Sequence, residues 1–408
     1  MLALAGCGEK PADAPKVPPA PKATAWPMTR GGPALTGASA APVPREPTVA
    51  WTFTAPGPVN AEAAIADGRV FIGSAKGRLH CLDAATGREI WSFETKDAVD
   101  AAPAVGGGRV YLSSNDGKLY ALAADTGAVV WTFATDEKIS SGATLVRNPG
   151  GPGEWVLVNG YDGTTRALDA ADGRVVWSYA TGNYINGAPA IVDGRFVVFG
   201  GCDAQLHVVG LADGQVLRTI DAEAYIPASI GTFGKMAFCG NYANQTVAFD
   251  VEAGTVAWKY QDRAMPFFSS PAVNERLVLI GSRDKYLHAI DRLKGEAVWK
   301  FRTGGRVEGA PILFNDAVVF GSADGRLYAA ELAAGAELWR LELGEALTAS
   351  PAFGANLIVV GGEIDRHPAR GALLEGLARA VDPAARIRAD PVEFPRRYED
   401  PRDQEVSG

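Results

Sequence analysis

Short apolar segments recur along most of this chain, each about 4 to 6 residues long, rich in β-branched and aromatic side chains and bounded by Gly and Asp. Arg69-Val70-Phe71-Ile72-Gly73-Ser74 is one; a turn follows, then Gly77-Arg78-Leu79-His80-Cys81-Leu82-Asp83, another turn, and a segment carrying Trp91. The order then repeats. Gly-x-x-x-Trp recurs at Gly87 to Trp91, Gly127 to Trp131, Gly173 to Trp177, Gly254 to Trp258, Gly295 to Trp299 and Gly335 to Trp339, while a seventh copy, Gly214 to Arg218, has lost its Trp. Counted from Trp51, the intervals are 40, 40, 46, 41, 40, 41 and 40 residues, and the long one contains the insertion Asn148-Pro149-Gly150-Gly151-Pro152-Gly153. Such constancy marks a repeat array.

Four short strands per period predict a four-stranded antiparallel sheet, the size of a propeller blade, whose radial arrangement protects the sheet edges. Seven full periods run from Trp51 to Trp339, and Ala349 to Phe353 with Leu357 to Gly361 begin an eighth. Its third strand is expected at Gly376 to Asp382, in the register of Gly77 to Asp83 after an insertion from Glu363 to Glu375. Its fourth is expected at Val49 to Phe53, from the other end of the chain. The expected fold is therefore all-β: an eight-bladed propeller of four-stranded antiparallel blades over residues 49–382, closed by an N-terminal strand in the last blade. Seven blades with loose ends is the alternative.

The segment Cys81-Leu82-Asp83-Ala84-Ala85-Thr86-Gly87-Arg88-Glu89-Ile90-Trp91 and its variants resemble the tryptophan-docking repeat of PQQ-type quinoprotein propellers. No blade carries the Gly-His and Trp-Asp pair of the WD-type repeat. An outer-strand indole can pack on small positions of a neighbouring blade, so Trp51, Trp91, Trp131, Trp177, Trp258, Trp299 and Trp339 are expected to be structural, and Arg218 to mark a weaker junction. Residues 26–48 form a leader whose Trp26-Pro27-Met28-Thr29-Arg30-Gly31 looks like the Trp-Pro-x-x-Arg-Gly segment found ahead of such propellers in exported bacterial proteins.

Residues 1–7 end in Leu4-Ala5-Gly6-Cys7, similar to a lipobox after a truncated signal peptide, with Cys7 the expected site of lipidation. Residues 8–25 hold Pro11, Pro15, Pro18, Pro19 and Pro21, an extended spacer suited to holding a folded body off a membrane. No run of eighteen apolar residues is present to span a bilayer. The 408 residues carry 39 basic and 47 acidic side chains, a formal charge of −8 that disfavours nucleic acid as a partner. Residues 383–408 form an irregular Arg-rich tail.

The quinoprotein resemblance implies PQQ and calcium, held by an adjacent Cys pair and a carboxylate-rich site. Here Cys7, Cys81, Cys202 and Cys239 are isolated, and no Cys-x-x-Cys-His haem attachment occurs. The expectation is thus no cofactor and no catalytic residue. His80, His207 and His288 share one strand position in three blades and cannot converge on one ion, so no metal site is expected. Cys202 and Cys239 lie near equivalent turns of neighbouring blades, where they could pair in an oxidising periplasm; two buried thiols are the expectation, and a disulfide the alternative. Asp116, Asp162, Asp203, Asp284 and Asp324 recur at one turn position, as Asp-Gly turn chemistry requires.

The channel mouth remains. Where each inner strand starts stand Asn60, Asp100, Ser140, Asn186, Pro227, Phe268, Glu308 and Thr348, with Tyr184, Tyr225, Met265 and Arg306 in the loops before four of them. A polar ring rimmed by aromatic and Arg residues has the composition of a protein-binding face; Asn60, Asp100, Asn186, Glu308, Tyr184, Tyr225 and Arg306 are the candidates. Anchor, spacer, length and blade number together make the chain similar to the family of outer-membrane protein assembly lipoproteins. That resemblance implies a non-catalytic, monomeric scaffold, lipid-anchored on the periplasmic side of a bacterial envelope, that binds a protein partner through its loops. The alternatives are a PQQ- and calcium-dependent dehydrogenase of alcohols or sugars, with Asp100, Asn186 and Glu308 near its site, and a binding module for a glycan or other envelope ligand.

Overall fold

The computed structural model describes residues 25–362 and the backbone of Ala372–Arg379. Cys7, the spacer up to residue 24 and the Arg-rich tail lie outside the described residues. Seven antiparallel sheets take four consecutive strands each. Blade 1 comprises Ala64–Ala66, Arg69–Ser74, Arg78–Asp83 and Glu89–Glu94, and blades 2 to 7 span 104–134, 144–180, 190–221, 231–260, 272–302 and 312–342. A further four-stranded sheet draws on both chain ends: Ala352–Gly354, Leu357–Gly361 and Ala372–Arg379 pair in turn, and Pro47–Ala55 pairs antiparallel with Ala372–Arg379.

Burial follows strand order. In blade 1 the second strand, Arg69–Ser74, is buried on both faces after its first residue, whereas the outer strand, Glu89–Glu94, alternates between exposed and half-buried positions. Neighbouring blades cover both faces of the inner strands, so those segments read as near-continuous apolar runs. The core accordingly lies between blades: Phe71, Leu79 and Cys81 of blade 1 pack with Val110, Leu112 and Leu122 of blade 2. Val359 and Phe353 of the two-ended sheet share one cluster with Ile65 and Val70 of blade 1 and with Ile312 and Val319 of blade 7.

Every sheet carries the same bulge. Cys81 pairs with Trp91 but Leu82 with Glu89, which leaves Ile90 extra, and the shift recurs in the other six blades and between Val49 and Trp51. A bulge twists an outer edge and discourages pairing with another chain.

The last sheet departs from the expected register. Trp51 pairs with Gly376, as Trp91 pairs with Cys81, so Gly376 occupies the place of Cys81 rather than that of Gly77. The strand begins four positions earlier than expected because the position opposite the indole demands a small residue. Ala121, Ala167, Ala248, Ala289 and Ala329 fill it elsewhere. Residues 380–382, assigned to this strand from sequence, lie outside the described residues.

The tryptophans join successive blades. The Trp51, Trp91, Trp131, Trp177, Trp258 and Trp299 indoles donate to the carbonyls of Ala84, Ala124, Ala170, Leu211, Arg292 and Leu332 in the following blade, at 2.9–3.2 Å. Each ring covers the glycine of the next Gly-x-x-x-Trp: a Cβ on Gly87 would lie 2.6 Å from the Trp51 ring. That glycine also has φ near +69°, so both space and backbone require it. Arg218 bridges its junction as well, for its Nη1 donates to the Glu252 carbonyl and its side chain lies against Gly254. Trp339 donates instead to Pro44 of the leader, 2.7 Å away.

The leader runs over one mouth of the ring. Leader carbonyls accept from inner-strand amides in turn: Trp26 from Ile65, Pro27 from Val105, Pro33 from Ile191, Ala34 from Thr232, Thr36 from Val273 and Gly37 from Leu313. These amides sit at the far ends of the inner strands, beside the first hairpin of each blade. The strand starts, where Asn60 and its equivalents lie, open on the opposite mouth.

Candidate partner-binding face

At the leader-free mouth, the linker entering each blade bonds to the turn between that blade's second and third strands. Tyr161 N donates to the Lys138 carbonyl, Cys202 N to Tyr184, Tyr242 N to Tyr225 and Ala323 N to Arg306, at 2.9–3.0 Å. Ala75 to Pro58 and Asn115 to Ala98 make the same bond on the far side of the ring. Linker and turn residues thus form a continuous rim, and its composition is one-sided.

From blade 3 to blade 7 the rim is aromatic and cationic. Lys138 Nζ lies 4.1 Å from the Tyr161 ring centre, and Tyr161 stacks on Tyr184 at 5.2 Å. Tyr225 meets Tyr242 at 6.1 Å, Tyr242 meets Phe268 at 4.9 Å, and the Arg283 guanidinium lies 4.1 Å over Phe268. Arg283 and Arg306 both bind Glu308, at 2.6 and 2.7 Å. Tyr184, Tyr225 and Tyr242 are 51%, 50% and 53% exposed, so their hydrophobic faces stand in water, as does Met265. Rigid aromatic rings and Arg, held by one another before any partner arrives, are the side chains that dominate binding energy at protein interfaces.

The structure brings Tyr184, Tyr225, Arg306 and Glu308 into this arc. It separates Asn60 and Asp100, which bond to each other at 3.3 Å, with Asp100 also accepting from Asn115 at 3.0 Å. Asn186 is turned inward, donating to the Ile226 carbonyl at 3.1 Å. Tyr161, Tyr242 and Arg283 were not singled out from sequence. Their signal was present: Tyr161 and Arg283 directly precede the recurring turn Asp and Tyr242 precedes Ala243 in its place, at the position held by Ala75, Asn115, Cys202 and Ala323 in other blades.

The recurring Asp side chains act within their own blades. Asp116 accepts from Tyr120, Asp162 from Arg166, and Asp324 from Tyr328, each four residues on, while Asp203 and Asp284 contact His207 and His288. His80 contacts Glu89 at 2.6 Å, and burial holds its pKa below the ordinary value. Among the described residues one cluster has metal-like spacing, Asp262, Asp284 and His288, but Asp262 is bound to Lys300 at 2.9 Å. The mouth is likewise a poor calcium donor set, because Glu308 is paired with two Arg side chains and both Asp100 oxygens already accept from Asn amides. Cys81, Cys202 and Cys239 are free thiols; Cys202, expected to be buried, is half-buried at its turn, while burial pushes Cys239 up to about 12.

The PQQ_2 family, described as outer membrane protein assembly factor BamB, matches residues 41–150, 117–226 and 243–384. The chain belongs to this family. Among solved structures, this BamB-family chain is similar to BamB from Moraxella catarrhalis, with 19% identity over 82% of this chain and 100% of the other, at a TM-score of 0.65. It is similar also to quinohemoprotein alcohol dehydrogenase from Comamonas testosteroni, 15% identical over 90% of this chain and 82% of that one, TM-score 0.73. A third is quinohemoprotein alcohol dehydrogenase ADHIIG from Pseudomonas putida HK5, 14% identical over 92% and 82%, TM-score 0.72. At these identities the likenesses establish the BamB-family fold and leave activity to the site. No curated protein matches the sequence.

Proposed function

We propose that this BamB-family chain is a non-catalytic, monomeric scaffold of the bacterial cell envelope that engages a protein partner in outer-membrane protein assembly. The observation that carries it is the exposed arc from Lys138 through Tyr161, Tyr184, Tyr225, Tyr242 and Phe268 to Arg283, confined to one side of the leader-free mouth. Lipidation at Cys7 complements it: the leader enters on the opposite mouth, so an anchored molecule turns the arc away from the membrane. Among the described residues no helix is long and apolar enough to cross a bilayer.

The same reading takes the two-ended sheet as an eighth blade that closes the ring. Its support is the shared bulge, the Trp51–Gly376 pairing and the core shared with blades 1 and 7. Thr52 and Glu375 are paired positions, so Thr52→Cys with Glu375→Cys should form a disulfide on oxidation of the monomer and raise Tm. Failure to crosslink without loss of folding argues for open ends.

Site-specific photocrosslinkers placed at Tyr225 and Tyr242 in envelopes should give a discrete protein adduct, whereas those at Ala75 and Ala98 should not. The double variant Tyr184→Ala, Tyr225→Ala should weaken that complex by about 30-fold or more, the scale of losing one interface hot spot of about 2 kcal/mol. Equal adducts from both sides of the rim sink the arc. The dehydrogenase reading is tested on the same protein by titration with PQQ and calcium, for which no saturable heat is expected. Micromolar binding with turnover of simple alcohols or sugars would replace the scaffold reading.

A further inference from the structure

Two residues past the mouth ring, each inner strand lines the bore with Glu62, Ala102, Gly142, Ala188, Ser229, Ser270, Ala310 or Ser350. Seven are small and one is a carboxylate. Into this space the leader turns Trp26, Thr29 and Arg30. The Trp26 indole donates to Glu62 Oε1 at 2.5 Å and the Arg30 amide donates to the same oxygen at 3.1 Å. Arg30 is 1% exposed; its Nη2 donates to the Pro311 carbonyl of blade 7, while its Nε and Nη1 have no hydrogen-bond partner. The small residues make room for the insertion, since a Cβ on Gly142 would overlap Thr29 Oγ1 and one on Gly37 would overlap the Arg30 guanidinium.

We propose that residues 26–41 form a proton-tightened strap across the ring, seated most firmly when Glu62 is protonated and loosened when it ionises. Glu62 accepts two hydrogen bonds at one oxygen, without a direct ion pair to compensate a full charge. The charged and titratable groups facing it are few. Arg30 comes from the leader, the other seven bore positions at this level carry none, and Asp100 and Glu308 stand at the mouth, bound to Asn60 and Asn115 and to Arg283 and Arg306.

Burial pushes Glu62 up to about 7 from its ordinary 4.5, against the opposing pull of Arg30 and the Trp26 hydrogen bond. The group therefore holds its proton more tightly with the strap seated than with it open. Its contribution is fully present below pH 4.5, declines as pH rises towards 7, and is level above. Burial also lowers the Arg30 pKa, yet a guanidinium stays charged in this range, so Arg30 adds no titration of its own, and its attraction for an ionised Glu62 is already contained in the Glu62 pKa. Strap opening should be about 70-fold more frequent at pH 8 than at pH 5, the ratio set by a carboxyl that moves from 4.5 to about 7.

The test is native-state hydrogen exchange on the full chain, with rates corrected for intrinsic pH dependence. The reporters are the Val105, Ile191, Thr232, Val273 and Leu313 amides, which donate to leader carbonyls. Their protection should fall by that factor between pH 5 and 8 in the wild type and stay constant in Glu62→Gln, while the amides of Leu277–Gly281 and Tyr286–Asp291, inside blade 6 and away from the leader, stay unchanged in both. Constant protection in the wild type, or the same pH dependence in Glu62→Gln, overturns the proposal. Carboxyl-carbon NMR of the wild type gives an independent answer if Glu62→Gln misfolds: a Glu62 resonance titrating near 7 supports the strap, and one titrating near 4.5 overturns it.

Discussion

Trp177→Ala should lower stability by about 3–5 kcal/mol, the usual cost of truncating a packed Trp, whereas Arg218→Ala should cost about 1 kcal/mol. The Trp177 indole is 7% exposed, covers Gly214 of the next blade and donates to the Leu211 carbonyl at 2.9 Å. Its removal leaves a void between blades 3 and 4, bordered by Phe199 and Val209, and an unpaired carbonyl. Arg218 keeps the equivalent bond, to Glu252, but fills less of the gap, and its charged head stays in water. Urea titration followed by tryptophan fluorescence and by circular dichroism measures both. A drop in midpoint at constant slope is the expected signature for Trp177→Ala. Equal losses in the two variants would mean that the junctions are held by strand edges and not by the indoles.

Removal of the leader should be more damaging still. A chain starting at Pro47 loses Trp26, Met28, Leu35 and Val43, all buried, and at about 1.5–3 kcal/mol for each side chain the loss is roughly 6–12 kcal/mol. That is comparable with the whole net stability of an ordinary domain, about 5–15 kcal/mol. It also strips a carbonyl partner from six inner-strand amides and leaves Glu62 and the small residues around it facing an empty bore. The expected result is a chain that melts without a cooperative transition, compared with a cooperative melt for a chain starting at Ala25. A truncated chain melting within a few degrees of the longer one refutes the leader as part of the core. This margin also explains why ionisation of Glu62 should loosen the strap without releasing it, for a 70-fold change in opening is small beside the full set of leader contacts.

The repeat made the blades legible because each blade is local. Strand spacing, the Gly-x-x-x-Trp motif and the recurring Asp all act within one period or between one period and the next, so a constant interval of about 40 residues exposes them. The register of the last sheet was less legible. Gly376 is the small residue opposite Trp51, but Ala372, Ala378 and Ala380 nearby are also small, and the match of Gly376 to Gly77 set the register four positions off. The ring of small residues around Glu62 was readable by counting eleven positions from Trp51.

The leader was identified in the sequence, but not its path. Its partners lie up to 295 residues away, as for Pro44 and Trp339, and no period relates a segment used once to the blades it crosses. The arc was found only in part for a similar reason. Tyr184, Tyr225 and Arg306 were legible as loop residues, yet their stacking on Tyr161, beside Tyr242 and across Glu308 joins linkers to turns of adjoining blades. The sequence by itself determined the repeat, the four-stranded units, the indole junctions and the absence of an adjacent Cys pair, because these depend on neighbours in the chain. Only the tertiary structure decided which mouth the leader covers, that Glu62 is buried beneath it, and that the aromatic residues fall on one side of the other mouth. Those properties arise when radial packing brings distant inner strands and loops around a common axis, and no local pattern encodes that axis.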